Sequence, residues 1–295
     1  MRRNSNSSIN LVSAGEEGTL EYRIQHVMED HDSKVISAWH DIPLYVLDEF
    51  SNKPTGLLNF VCEIPRCSRK KFEIATKEPG NPIKQDEKKG VLREFKKGDI
   101  FFNYGCFPRT WEDPEHSHPD TGCAGDNDPL DVCEIGMRIV PTGDVRQVKV
   151  LGVLAMIDDG ETDWKVIAID ADDRWAPELN DVEDVERLLP GVVDSIREWF
   201  RTYKIPDGKP PNVFGLGERC MPRTYAMKVI NECYLAWKTL VSNASLGGEV
   251  PRNLSVSKLT DLMAELEPDH VLSASDHLEA TSDGEAEDYP ASLIA

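Results

Sequence analysis

The chain predicts a mainly β domain with flanking helices (α+β), in which an antiparallel barrel is favoured over alternating βαβ units. Three features carry that expectation. Short segments of alternating or doubly apolar residues fill the first two-thirds of the chain, Pro and Gly punctuate residues 40–215 densely, and helical periodicity appears only late.

Residues 58–64 open the strand pattern. Phe60, Cys62 and Ile64 alternate with Asn59, Val61 and Glu63, so Glu63 is expected on the more polar face. After the Pro65 turn, Lys71 and Glu73 share one face opposite Phe72 and Ile74. Residues 147–157 are apolar on both faces, as a buried barrel strand requires, and residues 164–170 resume the strand pattern, leaving 158–163 as the connecting turn. Helices follow. Asn180 or Asp181 can cap one carrying Val182, Val185 and Leu188, and Val192, Ile196, Trp199 and Tyr203 mark a second that ends before Pro206. Ala226, Ile230, Cys233 and Trp237 mark a third.

The 295 residues are 40% apolar, enough to build one folded unit, and no stretch approaches the roughly 18 apolar residues of a membrane span. Seven cysteines without a C-x-x-C pair argue against a disulfide framework or a structural zinc site and fit a reducing, cytoplasmic compartment. Residues 1–14 hold Arg2 and Arg3 and no acid, which leaves organelle targeting open. The expected division is a flexible extension at 1–20, the folded domain at 21–242 and an acidic, mostly disordered tail at 243–295. A net charge of −20 opposes contact with nucleic acid or anionic lipid. An anionic substrate would need cations.

Chemistry concentrates in Gly125-Asp126-Asn127-Asp128-Pro129-Leu130-Asp131-Val132, where three carboxylates fall within six residues of a turn. Carboxylates packed so tightly repel one another unless a hard cation intervenes, and magnesium prefers a few carboxylates plus waters and phosphate oxygens. A second acidic run, 158–163, leaves a buried strand, and Asp163 and Lys165 share a strand face beyond it. Competing motifs fail. Leu130, Asp131 and Met137 stand where an EF-hand starting at Asp126 wants an oxygen ligand, Gly and Glu, and no hydrophobic strand precedes Asp126 as a phosphoaspartate nucleophile usually requires. No P-loop or complete G-x-G-x-x-G is present.

These runs, together with Val61-Cys62-Glu63-Ile64-Pro65-Arg66, Asn103-Tyr104-Gly105 and Tyr203-Lys204-Ile205-Pro206-Asp207-Gly208-Lys209-Pro210, resemble the family I soluble inorganic pyrophosphatases of eukaryotic type. The resemblance spans residues 21–240 and implies a five-stranded, OB-like distorted β-barrel with the active cavity at its mouth. By motif, Asp126, Asp131 and Asp163 resemble ligands of a first metal, with Asp131 bridging to a second. Asp158 and Asp163 would hold magnesium arriving with substrate, and Glu63 and Glu73 would act through waters. Asp128 resembles the general base, while Lys71, Arg93, Tyr104, Lys165, Tyr203 and Lys204 resemble phosphate-contacting residues. The implied reaction is hydrolysis of pyrophosphate to two orthophosphates by a water shared between two Mg2+ ions, without a phosphoenzyme. Homodimers are common among such relatives.

The electrostatics are consistent with that set. Its seven carboxylates exceed its four Lys and Arg cations, and pyrophosphate adds further negative charge. Like charges 4 Å apart repel by roughly 4 kcal/mol even at an effective dielectric of 20. About three or four Mg2+ ions would bring the total near zero. Two rival functions remain at this stage: a metal-dependent hydrolase of nucleotides or phosphoesters, and a noncatalytic OB-like module for single-stranded nucleic acid, which the acidity disfavours.

Overall fold

The computed structural model describes residues 9–28 and 34–245. In chain order the strands are β1 (Ile9–Ala14), β2 (Arg23–Met28), β3 (Lys34–Ile36), β4 (Tyr45–Leu47), β5 (Pro54–Ile64), β6 (Phe72–Ile74), β7 (Ile83–Gln85) and the ribbon β8 (Glu87–Lys88) with β9 (Val91–Leu92). Then come β10 (Asn103–Cys106), β11 (Asp131–Glu134), β12 (Val145–Asp158), β13 (Glu161–Asp170), helices α1 (Val182–Leu188) and α2 (Val192–Thr202), β14 (Val213–Phe214), β15 (Met221–Pro222) and α3 (Arg223–Ser245).

Five strands close a ring. β5 pairs with β10, β10 with β11, β11 with β13 and β13 with β12, and β12 returns to β5. This is the expected five-stranded OB-like barrel with helices outside. All of its pairings are antiparallel except β11–β13, which aligns Asp131 with Lys165. β1, β2, β3, β7 and β6 form a second sheet.

Two hydrophobic clusters explain why β12 and β13 are apolar on both faces. Leu154, Met156, Ile167 and Ile169 join Ile196 and Phe200 of α2 in one. Val153, Ala155, Val166 and Ala168 join Ala226, Val229 and Ile230 of α3 in the other. Of the two candidate caps, Asp181 is the N-cap of α1 and accepts the Val182 N–H. Its partner in a reciprocal capping box is Asp184.

Several expectations need correction. The turn between β12 and β13 is only Asp159-Gly160, with positive φ at both positions as a tight two-residue hairpin demands. Asp158 and Asp163 therefore lie on strands, where the ladder holds them. Glu63 is not on a polar face, because Val61 on the same face is fully buried and Glu63 itself is buried. Residues 9–14, within the segment expected to be a flexible extension, form β1 against β2. α3 extends to Ser245, past the expected boundary at 242. The acidic tail beyond 245 and residues 1–8 lie outside the described residues.

One glycine is required for ring closure. Register shifts between Tyr104 and Gly105 as β10 meets β5, and a Cβ on Gly105 would stand 2.0 Å from the Val61 carbonyl oxygen. That obstacle is backbone and cannot rotate away. Gly105→Ala is expected to destabilise the fold by about 3 kcal/mol or more. Urea unfolding measures it, and an unchanged midpoint would show that β10 can shift at no penalty.

Candidate active site

The site begins at the parallel pair. Because β11 and β13 align Asp131 with Lys165, and Asp163 lies two residues before Lys165 on the same face, both carboxylates converge on one ammonium. Lys165 is 1% exposed and also donates to the Tyr104 hydroxyl at 2.9 Å, while that hydroxyl donates to Asp131. Burial disfavours the Lys165 charge, yet Asp131 and Asp163 more than offset it and hold the amine well above its ordinary range. The Lys165 ammonium also stands over the rings of Phe200 and Tyr104, at 5.1 and 5.4 Å.

The loop before β11 brings the other acids. Asp126 accepts the Asp128 N–H at 3.0 Å, a short-range contact that shapes the turn around Asn127. Burial, then the charge of Asp163, pushes the Asp126 carboxyl up to about 9. Much of the Asp128 surface faces solvent, but desolvation of its carboxyl and the nearby Asp131 still push it up to about 6. Asp163 rises to about 7, burial outweighing Lys165. Glu63 accepts the Ile74 N–H at 2.7 Å and is pushed well up by burial and by Asp131.

Two basic clusters flank this centre. Lys71 donates to Glu73 at 2.9 Å and to Asp86 at 2.8 Å, and Arg93 donates to the same Asp86. Burial opposes the Lys71 charge, but Glu73 and Asp86 raise its pKa overall. On the opposite flank, Asp158 at the end of β12 accepts from Lys204 and from the Tyr203 hydroxyl, the latter at 3.2 Å. Burial and then Asp158 raise the Tyr203 phenol well above its usual value.

A cavity of ≈ 440 Å³ is lined by Glu63, Lys71, Glu73, Asp86, Tyr104, Asp126, Asp128 and Asp131, among others. Of the residues singled out in the sequence, Arg93, Asp158, Asp163, Lys165, Tyr203 and Lys204 do not line it. Asp163 and Lys165 join it through Asp131, Arg93 joins through Asp86, and the Asp158 cluster forms a separate flank.

Sequence reasoning passed over two carboxylates here. Asp86 follows β7 and ties Lys71 to Arg93, but nothing in its local run marks it as different from a surface acid. Glu112 sits between Trp111 and Asp113, and its oxygen lies with those of Asp126 and Asp163 in a group mutually within 4.8 Å. An acid beside a tryptophan was the only available signal. His116 and His118 lie outside this cluster, and His118 instead faces Glu232 at 3.4 Å and packs against Trp164.

Crowded, buried carboxylates of this kind suit a divalent cation, because oxygen-rich sites with few neutralising amines favour hard ions. Ring, cavity and acidic cluster together define a five-stranded ring domain with a candidate metal site beside its cavity. The model of the family described as inorganic pyrophosphatase matches residues 60–238. An inorganic pyrophosphatase from Kluyveromyces lactis is 53% identical over 235 residues, covering 78% of this chain and 79% of the relative. One from Candida albicans is 50% identical over 244 residues, covering 81% and 82%. Among solved structures, a recombinant inorganic pyrophosphatase from T brucei brucei superposes with a TM-score of 0.78 at 45% identity, covering 82% of this chain and 73% of that one. A truncated Trypanosoma cruzi vacuolar soluble pyrophosphatase in complex with PPi gives 0.76 at 46% identity, covering 80% and 92%. This chain belongs to the inorganic pyrophosphatase family, in its family I soluble, eukaryotic-type branch, and is accordingly an inorganic diphosphatase. Among the described residues, no helix is long and apolar enough to cross a membrane.

The raised carboxyls set a pH dependence. A carboxyl whose folded pKa lies above its unfolded value stabilises the fold fully below the unfolded value, and that contribution is lost as pH climbs through the folded one. For Asp126 and Asp163 the window runs from the ordinary 3.8 up to about 9 and about 7. The Tm of metal-free protein is therefore expected to fall as pH rises across it, and added Mg2+ should raise Tm most at the alkaline end. A metal-free Tm that climbs steadily from pH 5 to 9 would contradict the crowding.

Proposed function

We propose that this chain hydrolyses pyrophosphate to two orthophosphates with Mg2+, by direct attack of water, and that Asp128 is the general base. The observation that carries this is the convergence of Asp131, Asp163, Lys165 and Tyr104, four groups from three strands, beside an acidic cavity. When bound, two Mg2+ ions lower the pKa of the water between them and offset the charge of substrate and carboxylates.

The chain's own residues do the remaining work. Asp126, Asp131 and Asp163 would hold a first ion, Asp131 would also serve a second, and Asp158 would serve ions entering with substrate. Glu63 and Glu73 act from further out through waters. Asp128 lies on the open side of its loop, and no cation is hydrogen-bonded to its carboxylate among the described residues. It is placed to orient the nucleophile and take its proton.

The amines are held by the acids that would hold metal. Lys165 is paired with Asp131 and Asp163, Lys204 with Asp158, and Lys71 with Glu73 and Asp86. The acids that would hold metal are therefore the direct partners of the amines that would contact phosphate. Lys71, Arg93, Tyr104, Lys165, Tyr203 and Lys204 then bind the two phosphates and stabilise the charge that grows on the leaving one.

The test is phosphate release from pyrophosphate by purified protein as Mg2+ is titrated from zero, with ATP as a competing substrate. Activity on pyrophosphate that needs Mg2+ is expected, and faster release from ATP would favour a nucleotide hydrolase instead. Asp128→Ala should lower kcat by about 10²–10⁴-fold while leaving the fold intact. Near-normal turnover in that variant would remove Asp128 from the reaction.

A further inference from the structure

Glu112 has an environment that the roles above leave unexplained. It lies on the irregular segment after β10, and its backbone is fastened on both sides of the metal loop. Its N–H donates to the Asp128 carbonyl at 3.0 Å, and its own carbonyl accepts the Asn127 N–H at 2.9 Å. The neighbouring Asp113 carbonyl accepts the Gly125 N–H at 3.0 Å. Contact between the two segments is so close that a Cβ on Gly125 would lie 2.4 Å from the Glu112 carbonyl carbon. The residue that begins the acidic run is glycine because Glu112 occupies the space.

Its side chain is divided in function. Oε1 accepts the Trp164 N–H at 3.0 Å, which braces β13 one residue from Asp163. Oε2 is buried and has no hydrogen-bond partner, although the residue is only 3% exposed. A buried carboxylate oxygen without a donor is costly, and this carboxylate stands within 4.8 Å of those of Asp126 and Asp163. Lys165 pairs with Asp163, and among the described residues no amine is hydrogen-bonded to Glu112. Anchoring Trp164 needs one oxygen; the second is left beside two other carboxylates, where a bound cation, a donating water or a shared proton would relieve the repulsion.

We propose that Glu112 completes the metal position between Asp126 and Asp163, with its free Oε2 facing the ion or a water on the ion. This rests on the reading that Asp126 and Asp163 hold metal. It makes Glu112 a positioning residue that sets metal affinity without touching substrate.

Glu112→Gln keeps an oxygen for the Trp164 N–H and removes the charge. Mg2+ binding to wild type and variant is compared by titration calorimetry without pyrophosphate, alongside the Tm of each metal-free protein. The variant's tightest Mg2+ dissociation constant should rise about 10–100-fold, as loss of a partner around a metal ligand does. Its metal-free Tm should rise, since an amide donor replaces a repelling oxygen. An unchanged dissociation constant would reduce Glu112 to a brace for Trp164 and overturn the proposal, leaving the pyrophosphatase reading intact. If wild type itself binds no Mg2+, the metal reading of Asp126 and Asp163 fails first, and this one with it. Crystals of wild type grown with Mn2+ give an answer that does not depend on the variant folding. An anomalous peak within about 5 Å of Oε2 supports the proposal, and Mn2+ bound only elsewhere defeats it.

Discussion

The buried Lys165 ammonium, held between Asp131 and Asp163 and against the Tyr104 hydroxyl, is the interaction on which the rest of the site depends. It exists because β11 and β13 run parallel and bring residues 34 positions apart into register. An amine so deeply enclosed survives as a cation only through its two carboxylates. Asp163 is the strongest charge acting on Asp126 and Asp131 the strongest on Glu63, so the pairing with Lys165 also bears on the negative potential left for a divalent ion. Removing either acid would therefore disturb cation retention, strand pairing and metal affinity together.

Much of this was legible in the residues. The doubly apolar run of β12, the shared face of Lys71 and Glu73, and the three late helices follow from periodicity, because side-chain burial imposes those periods directly. The motif order pointed to the family, and the comparisons agree. What stayed hidden depends on contacts between distant segments. Nothing local to 58–64 reveals that the face of Glu63 is packed against another sheet, so a charged residue there read as solvent-facing. Glu112 and Asp86 lie in short acidic runs far along the chain from their partners, and only tertiary closure places them beside Asp126 and Lys71. The hairpin turn was drawn too long because acids at 158 and 163 look like turn residues, whereas the two-residue Asp-Gly sequence is sufficient.

The metal-binding face and the hydrophobic core are not independent layers. β12 and β13 send one face to α2 and the other to α3, and the half of each strand nearest their hairpin carries Asp158, Asp163 and Lys165. Rigid strands with both faces buried are suitable mounts for ionic groups that must be held to within a fraction of an ångström. Three of the seven cysteines, Cys62, Cys106 and Cys133, are buried on the other three strands of the ring, β5, β10 and β11, and burial pushes their thiols well up, away from the reactive thiolate.

The single parallel contact in the ring also bears on how the chain assembles. β12 and β13 can zip from a two-residue turn with almost no loop to close, whereas β11 can reach β13 only after β12 has passed between them in sequence. Local hairpins form in microseconds, and long-range parallel pairing is slower because its entropic cost precedes its reward. The ionic centre spans that slow seam. A chain with only its β12–β13 hairpin formed lacks the alignment of Asp131 with Lys165, so a working centre requires the long-range parallel pairing as well.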